Sequence, residues 1–289
     1  MGHADRLLLG AERRLQRLPR WLAAHRPRAV EVARQPVTLT SGAGYRIAGC
    51  VHSPVGGSDR RRPAVLLCPG IDDPGSVFVG QAAPISADEV ARLGVHCMRF
   101  DPAGRGESWG VEDFGGPEHQ DEVATALRYL VSRPDVVASR SGVVAISLGI
   151  AMAVGALAQA GEGCRLGWLI DWEGPCDREI ITAGGRILAP AAGHGLDDDA
   201  WWRPREAVRN LAGIRCGYFR YQASRDHAQP GELRHAQRMM RAASEAGLPW
   251  FQLNDHPRNT VPDRPKWYPP GHGFANRTIM AKIALFAAL

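Results

Sequence analysis

An apolar run, Gly142-Val-Val-Ala-Ile146, leads straight into Ser147-Leu-Gly149 and then into the alanine-rich stretch Ile150 to Ala158. A strand that enters a helix through so short a turn leaves few folds open. The backbone at the serine must bend tightly, and the residues two positions to either side must be small, because a larger side chain there would collide with the neighbouring chain. Ala145 and Gly149 meet that requirement. The helix that follows aims its N-terminal amides back at the turn, where they stabilise negative charge developing on a bound oxygen. Without its context the same stretch describes a buried strand whose serine happens to have small neighbours.

The rest of the chain supplies context. From Pro63 onward, short apolar runs alternate with helical segments, the pattern of a parallel sheet with crossover helices. Strands are expected at Ala64 to Cys68, His96 to Phe100, Gly142 to Ile146, Gly167 to Ile170, Cys216 to Gln222 and Trp250 to Leu253. Helices are expected at Ala87 to Leu93, Gln120 to Ser132, Ile150 to Ala160, Gly231 to Ala246 and Thr278 to Ala288. Upstream, Val37 to Thr40 and Tyr45 to His52 flank a Ser-Gly-Ala-Gly turn and predict a hairpin.

Two segments break the rhythm. Between Pro175 and Ile214 it lapses for about 40 residues, longer than an ordinary connection. That span, about 175–214, is expected to be a cap, with Trp201 and Trp202 as either a wall over a pocket or part of a solvated loop. Asp5 to Ala33 carries Leu7, Leu8, Leu15, Leu18 and Leu22 at near-helical spacing, interrupted by Pro19 and Pro27. Residues 1–36 therefore read as a helical extension, packed on the main domain or docking a partner or membrane surface, and residues 37–289 as that domain.

Composition narrows the classes. With 289 residues, 45% of them hydrophobic, the chain can bury a sizeable core and fits one α/β domain. A formal charge of +5 without a nucleic-acid motif predicts a solvated basic face rather than a DNA or RNA site. Six scattered cysteines, with no C-x-x-C pair, predict buried thiols in a reducing compartment. No apolar run reaches the roughly 20 residues of a membrane span, and no secretory leader is apparent, so a cytoplasmic location is expected. No metal motif, Walker loop or dinucleotide fingerprint occurs, so neither a metal nor another cofactor is expected.

Several further motifs accompany the Ser147 turn. Val65-Leu-Leu-Cys-Pro-Gly-Ile71 joins a strand to a glycine loop, and Phe100-Asp-Pro-Ala-Gly-Arg-Gly-Glu-Ser108 is an Asp-x-x-Gly-x-Gly-x-Ser turn. Tyr221-Gln-Ala-Ser-Arg-Asp226-His227 follows an apolar strand, and Gly271-His272-Gly273 precedes the last apolar helix. Together, from Val37 to Leu289, these resemble the α/β-hydrolase fold family, serine esterases and peptidases among its members. Ala145 where glycine is commoner, and Cys68-Pro69 in place of a histidine-containing loop, depart from the family pattern. The resemblance implies a mostly parallel, eight-stranded doubly wound sheet with a short cap.

It also implies roles. A serine hydroxyl is a poor nucleophile at neutral pH, so a neutral imidazole must take its proton and an acid must orient the imidazole. Ser147, His272 and Asp226 are the expected triad, with the backbone amides of Ile71 and Leu148 as the oxyanion hole. Asp171 or Glu173 at the end of the preceding strand is an alternative acid, and His256 an alternative base; His227 reads as a turn residue. Asp101 is expected to anchor its glycine turn through backbone amides. Asp72 and Asp73 either solvate the oxyanion loop or bias the pocket toward neutral or cationic substrates. The expected activity is a serine hydrolase acting on small esters or acyl compounds, with peptidase, thioesterase or acyltransferase chemistry open to the same groups. A binding protein on the same fold is the rival, and homo-oligomerisation is left open.

Overall fold

Eight strands form one sheet in the order β1-β2-β4-β3-β5-β6-β7-β8. The computed structural model describes residues 30–56, 61–163, 165–183, 193–226 and 233–289. β1 (Val32–Thr40) and β2 (Arg46–Pro54) form the antiparallel hairpin, closed where Gly44 takes a φ of +86°. β2 also runs antiparallel to β4 (His96–Phe100). The remaining pairs, through β3 (Ala64–Cys68), β5 (Gly142–Ile146), β6 (Trp168–Trp172), β7 (Gly217–Tyr221) and β8 (Phe251–Leu253), are parallel.

Both faces of the parallel part are covered, so β3 and β5 read as unbroken apolar runs and even Asp171 of β6 and Arg220 of β7 are buried. In β3, Ala64, Leu66 and Cys68 join one core, while Val65 and Leu67 join the other. The first core is closed by α2 (Pro117–Ser132), α3 (Gly149–Ala160) and α7 (Arg234–Glu245). The second is closed by α1 (Ala87–Arg92) and α8 (His272–Ala288). Between β6 and β7 the described residues hold only short pieces, α4 (Arg178–Ala183), α5 (Asp199–Trp202) and α6 (Ala207–Asn210), as the lapse in rhythm predicts.

Two expectations need adjusting. β1 begins at Val32, so the sheet takes in Val32 and Ala33 from the stretch read as a broken helix; residues 1–29 lie outside the described residues. Pairing with β2 over the whole length, Val32 opposite Pro54 to Thr40 opposite Arg46, outweighs the weak helical spacing there. α8 starts at His272 rather than Thr278. Gly273, Asn276 and Arg277 mask its first turns in sequence, but Phe274 and Ala275 pack into the second core and hold them.

None of the five described cysteines, Cys50, Cys68, Cys97, Cys176 and Cys216, forms a disulfide, and all are buried. Among the described residues no helix is long and apolar enough to cross a membrane.

Candidate active site

The turn after β5 has the strain that the sequence demands. Ser147 takes a φ of +52°, a left-handed conformation that is uncommon for a residue with a side chain. Its amide donates to Trp172 O at 3.0 Å, pinning the turn to the end of β6, and α3 begins two residues later at Gly149. A Cβ on Gly149 would lie 2.6 Å from Pro69 O and 2.8 Å from Cys68 O, so only glycine lets the helix start beneath the β3 loop. Ala145 is fully buried.

The loop after β3 lies against this turn. A Cβ placed on Gly70 would be 3.4 Å from Ser147 Cβ and 3.3 Å from Asp73 Oδ2. Burial pushes the Asp73 carboxyl up, the Asp72 charge adds to the effect and the Arg105 charge opposes it. The Asp73 carboxylate makes no hydrogen bond or ion pair among the described residues. Arg105, from the glycine turn after β4, reaches into the same loop: its Nη1 donates to Gly70 O at 2.6 Å and to Asp73 O at 3.3 Å. Its Nε and Nη2 are held by Glu112 at 2.5 and 2.6 Å. Burial pushes the Glu112 carboxyl up, but the Arg105 hydrogen bonds and the charges of His119 and Arg105 more than offset that and hold it below the usual carboxylate range. Asp101 anchors the turn as expected, accepting from the amides of Gly75 at 2.7 Å and Glu107 at 2.8 Å.

Ile71 and Leu148 lie in the same apolar neighbourhood. They belong to one apolar cluster with Ala151 of α3 and with Ile181, Trp201 and Trp202 from the connection between β6 and β7. Trp202 is buried and donates its indole N–H to Gly195 O at 2.9 Å; Trp201 is stacked on His194 and carries the Arg205 guanidinium 4.0 Å from its ring centre. The two tryptophans are thus a wall above the serine turn rather than part of a solvated loop.

The acidic candidates differ in what they hold. Asp226, buried just past β7, accepts from Gln222 Nε2 at 2.7 Å and pairs with His235 Nε2 at 3.0 Å, both on its Oδ2. His235 Nδ1 lies 3.1 Å from Arg220 Nη2, and since a guanidinium only donates, Nδ1 is the acceptor and Nε2 carries the proton given to Asp226. Arg220 in turn pairs with Asp171 at 2.6 Å, the residue opposite it in register. Asp171 also accepts from Tyr218 Oη at 2.5 Å and from the Gly174 amide at 2.8 Å. Its carboxylate is therefore engaged within the first core. Glu173, with a φ of +53°, accepts from the Ala223 amide at 2.8 Å.

The histidines also separate. His256 Nε2 accepts from the Lys266 amide at 2.7 Å, so that nitrogen is already in use within its loop. His272 is exposed at the first position of α8, four residues beyond Tyr268, whose backbone bridges to Ala223 at the end of β7. Ser147, Asp226 and His272 all lie beyond the carboxyl ends of strands, but His272 makes no hydrogen bond or ion pair among the described residues. His227 lies outside the described residues. His235 and Arg105 are the site-adjacent residues that sequence reasoning passed over. Arg105 had a signal, its place between Gly104 and Gly106; His235 had none.

A cavity of about 410 Å³ lies elsewhere, between α4 and α7, bordered by Glu179, Ile180, His235 and Arg238 among others, and none of Ser147, Ile71 and Leu148 lines it. No group of three or more metal-binding side chains gathers among the described residues.

No protein-family model matches this chain, and no curated protein does. Solved structures do. The Pyrococcus furiosus esterase Pf2001 is similar with a TM-score of 0.62 at 16% identity, over 91% of this chain and 98% of that one. The acetyl xylan esterase from Paenibacillus sp. R4 is similar with a TM-score of 0.61 at 15% identity, over 90% of this chain and 85% of that one. A puromycin hydrolase is similar with a TM-score of 0.66 at 16% identity, over 90% of this chain and 40% of that one. At such identities the likeness is one of fold: the chain has the α/β-hydrolase fold, as its sheet order shows.

Proposed function

We propose that the protein is a serine hydrolase, a carboxylic ester hydrolase that works through an acyl-enzyme on Ser147. The observation that carries this reading is the left-handed Ser147 at the strand-to-helix turn, wedged between the Gly70 loop and the N-terminus of α3. A strained serine presented this way has a hydroxyl at the head of a helix, where backbone amides face any carbonyl oxygen bound beside it.

In this mechanism Ser147 Oγ attacks the ester carbonyl while His272 takes its proton. The tetrahedral oxyanion accepts from the amides of Ile71 and Leu148. Its collapse breaks the bond to the alkoxide, which leaves with the proton from His272, and a water then repeats the sequence on the acyl-enzyme. Asp226 orients the histidine. The Trp201 and Trp202 wall would receive an apolar part of the substrate. Amide, thioester and acyl-acceptor substrates use the same groups, and the neighbours with esterase and hydrolase names fit either class.

The test is intact-mass labelling by a fluorophosphonate, with turnover of short-chain and long-chain p-nitrophenyl esters. Wild type is expected to take one adduct and to turn over ester, and Ser147→Ala to do neither. An adduct that persists in Ser147→Ala, or wild type that takes none, overturns the reading in favour of a binding protein on this fold.

A further inference from the structure

We infer that Arg105 is a positioning residue that aims one donor of the oxyanion hole, an inference that rests on the acyl-transfer reading of Ser147. Arg105 is buried, and its fork is divided between two tasks. Nε and Nη2 are fixed by both oxygens of Glu112, which leaves Nη1 to hold Gly70 O at 2.6 Å. The turn that delivers it is built for the purpose. Gly104 and Gly106 take φ of +73° and +55°, and a Cβ on Gly104 would lie 2.6 Å from the Glu112 amide.

The consequence follows from peptide geometry. The Gly70–Ile71 bond is trans, so the Gly70 carbonyl and the Ile71 N–H lie in one plane and point in opposite directions. Holding the carbonyl toward Arg105 therefore holds the Ile71 N–H away from it. Gly70 is the residue that abuts Ser147, and Ile71 packs in one cluster with Leu148, the residue that follows the serine. The Ile71 amide, turned away from Arg105, is the inferred donor beside that of Leu148. A clamp of this kind keeps the peptide plane from turning over, so the donor is aimed before charge develops and nothing need reorganise as it does. A charged donor on the carbonyl also polarises the peptide and strengthens its N–H. Glu112 completes the device by fixing the guanidinium.

The experiment compares Arg105→Met, Arg105→Lys and Glu112→Gln with wild type on a p-nitrophenyl ester and its thionoester analogue. Thiono sulfur is a poorer hydrogen-bond acceptor than oxygen, so loss of an aimed donor slows the oxygen ester more. Arg105→Met is expected to lower kcat for the oxygen ester about 10- to 100-fold, with KM nearly unchanged, and to narrow the oxygen-to-sulfur rate ratio. Arg105→Lys, which keeps one donor, recovers part of that loss, and Glu112→Gln falls between. If Arg105→Met does not fold, the other two variants carry the same comparison. Equal losses on both esters, or a wild-type rate ratio in the folded variants, overturns the inference and leaves a merely structural role. Those results come with normal labelling of Ser147; wild type that takes no adduct overturns the reading of the site itself, and the inference with it.

Discussion

Ser147 and Asp73 show how much one position can carry. A serine at φ +52° costs the fold of order 1–2 kcal/mol, which the surrounding strand, helix and glycine contacts must offset. That strain is readable in sequence because its requirements are local: Ala145 and Gly149 stand within two residues of it. Asp226 was legible by its motif, but its environment was not. His235 and Gln222 hold its carboxylate, and Arg220 links it to Asp171; those partners are set by sheet register and by the fold-back of the helix that follows Asp226. Asp73 is the residue from which a specificity test follows. A partly buried carboxylate that makes no hydrogen bond or ion pair among the described residues, beside the serine, favours a substrate that brings positive charge. Asp73→Asn is expected to lower the rate on an ammonium-bearing ester relative to a matched anionic one by roughly fivefold, the equivalent of about 1 kcal/mol for a part-exposed ion pair. Competition between the two esters measures this, and an unchanged ratio defeats it.

At the scale of elements, the glycine turn after β4 is tied to α2 by one buried acid. Glu122 accepts from the Ala103 amide at 3.1 and 3.0 Å and from Tyr45 Oη at 2.7 Å, so a helix, a turn and the start of β2 converge on it. Burial pushes its carboxyl up from 4.5 to about 7, although those hydrogen bonds pull the other way. The folded chain therefore keeps this proton to higher pH than the unfolded chain, and its contribution lowers stability as pH rises from 4.5 to about 7. The integrated loss is of order 3 kcal/mol. Glu122→Gln is expected to flatten that part of the stability profile, read as urea unfolding between about pH 5 and about pH 8; an unaltered slope would assign it to other groups. The elements themselves were mostly legible. β3, β4 and β5 match their expected bounds residue for residue; burial on both faces leaves β3 and β5 no polar position to blur the ends. The start of α8 was not, since Gly273 and two polar residues hide a turn that packing against the second core stabilises.

Across the whole molecule, the described part of the connection between β6 and β7 packs beside the serine turn and is fastened to the body. Gln120 of α2 donates to Pro204 O at 2.6 Å, Arg205 pairs with Asp113, and Trp202 sits at 1% exposure against Leu148 and Ala151. Trp202→Ala removes the largest part of that wall. It is expected to destabilise the protein by about 3–5 kcal/mol, as for other buried tryptophans, and to shift ester preference toward longer or bulkier acyl groups; calorimetry and a chain-length series check the two effects, and an unchanged preference would place the acyl pocket elsewhere. The sequence by itself determined the strand-and-helix alternation, the small-residue turn at Ser147 and the lapse in rhythm between β6 and β7, because these are written in neighbours along the chain. Only the tertiary structure decided that Arg105 grips Gly70, that His235 and Arg220 back Asp226, and that Trp202 closes over Leu148. Such contacts join residues from 9 to more than 50 positions apart, and they depend on sheet order and helix packing, to which no local pattern of residue types is sensitive.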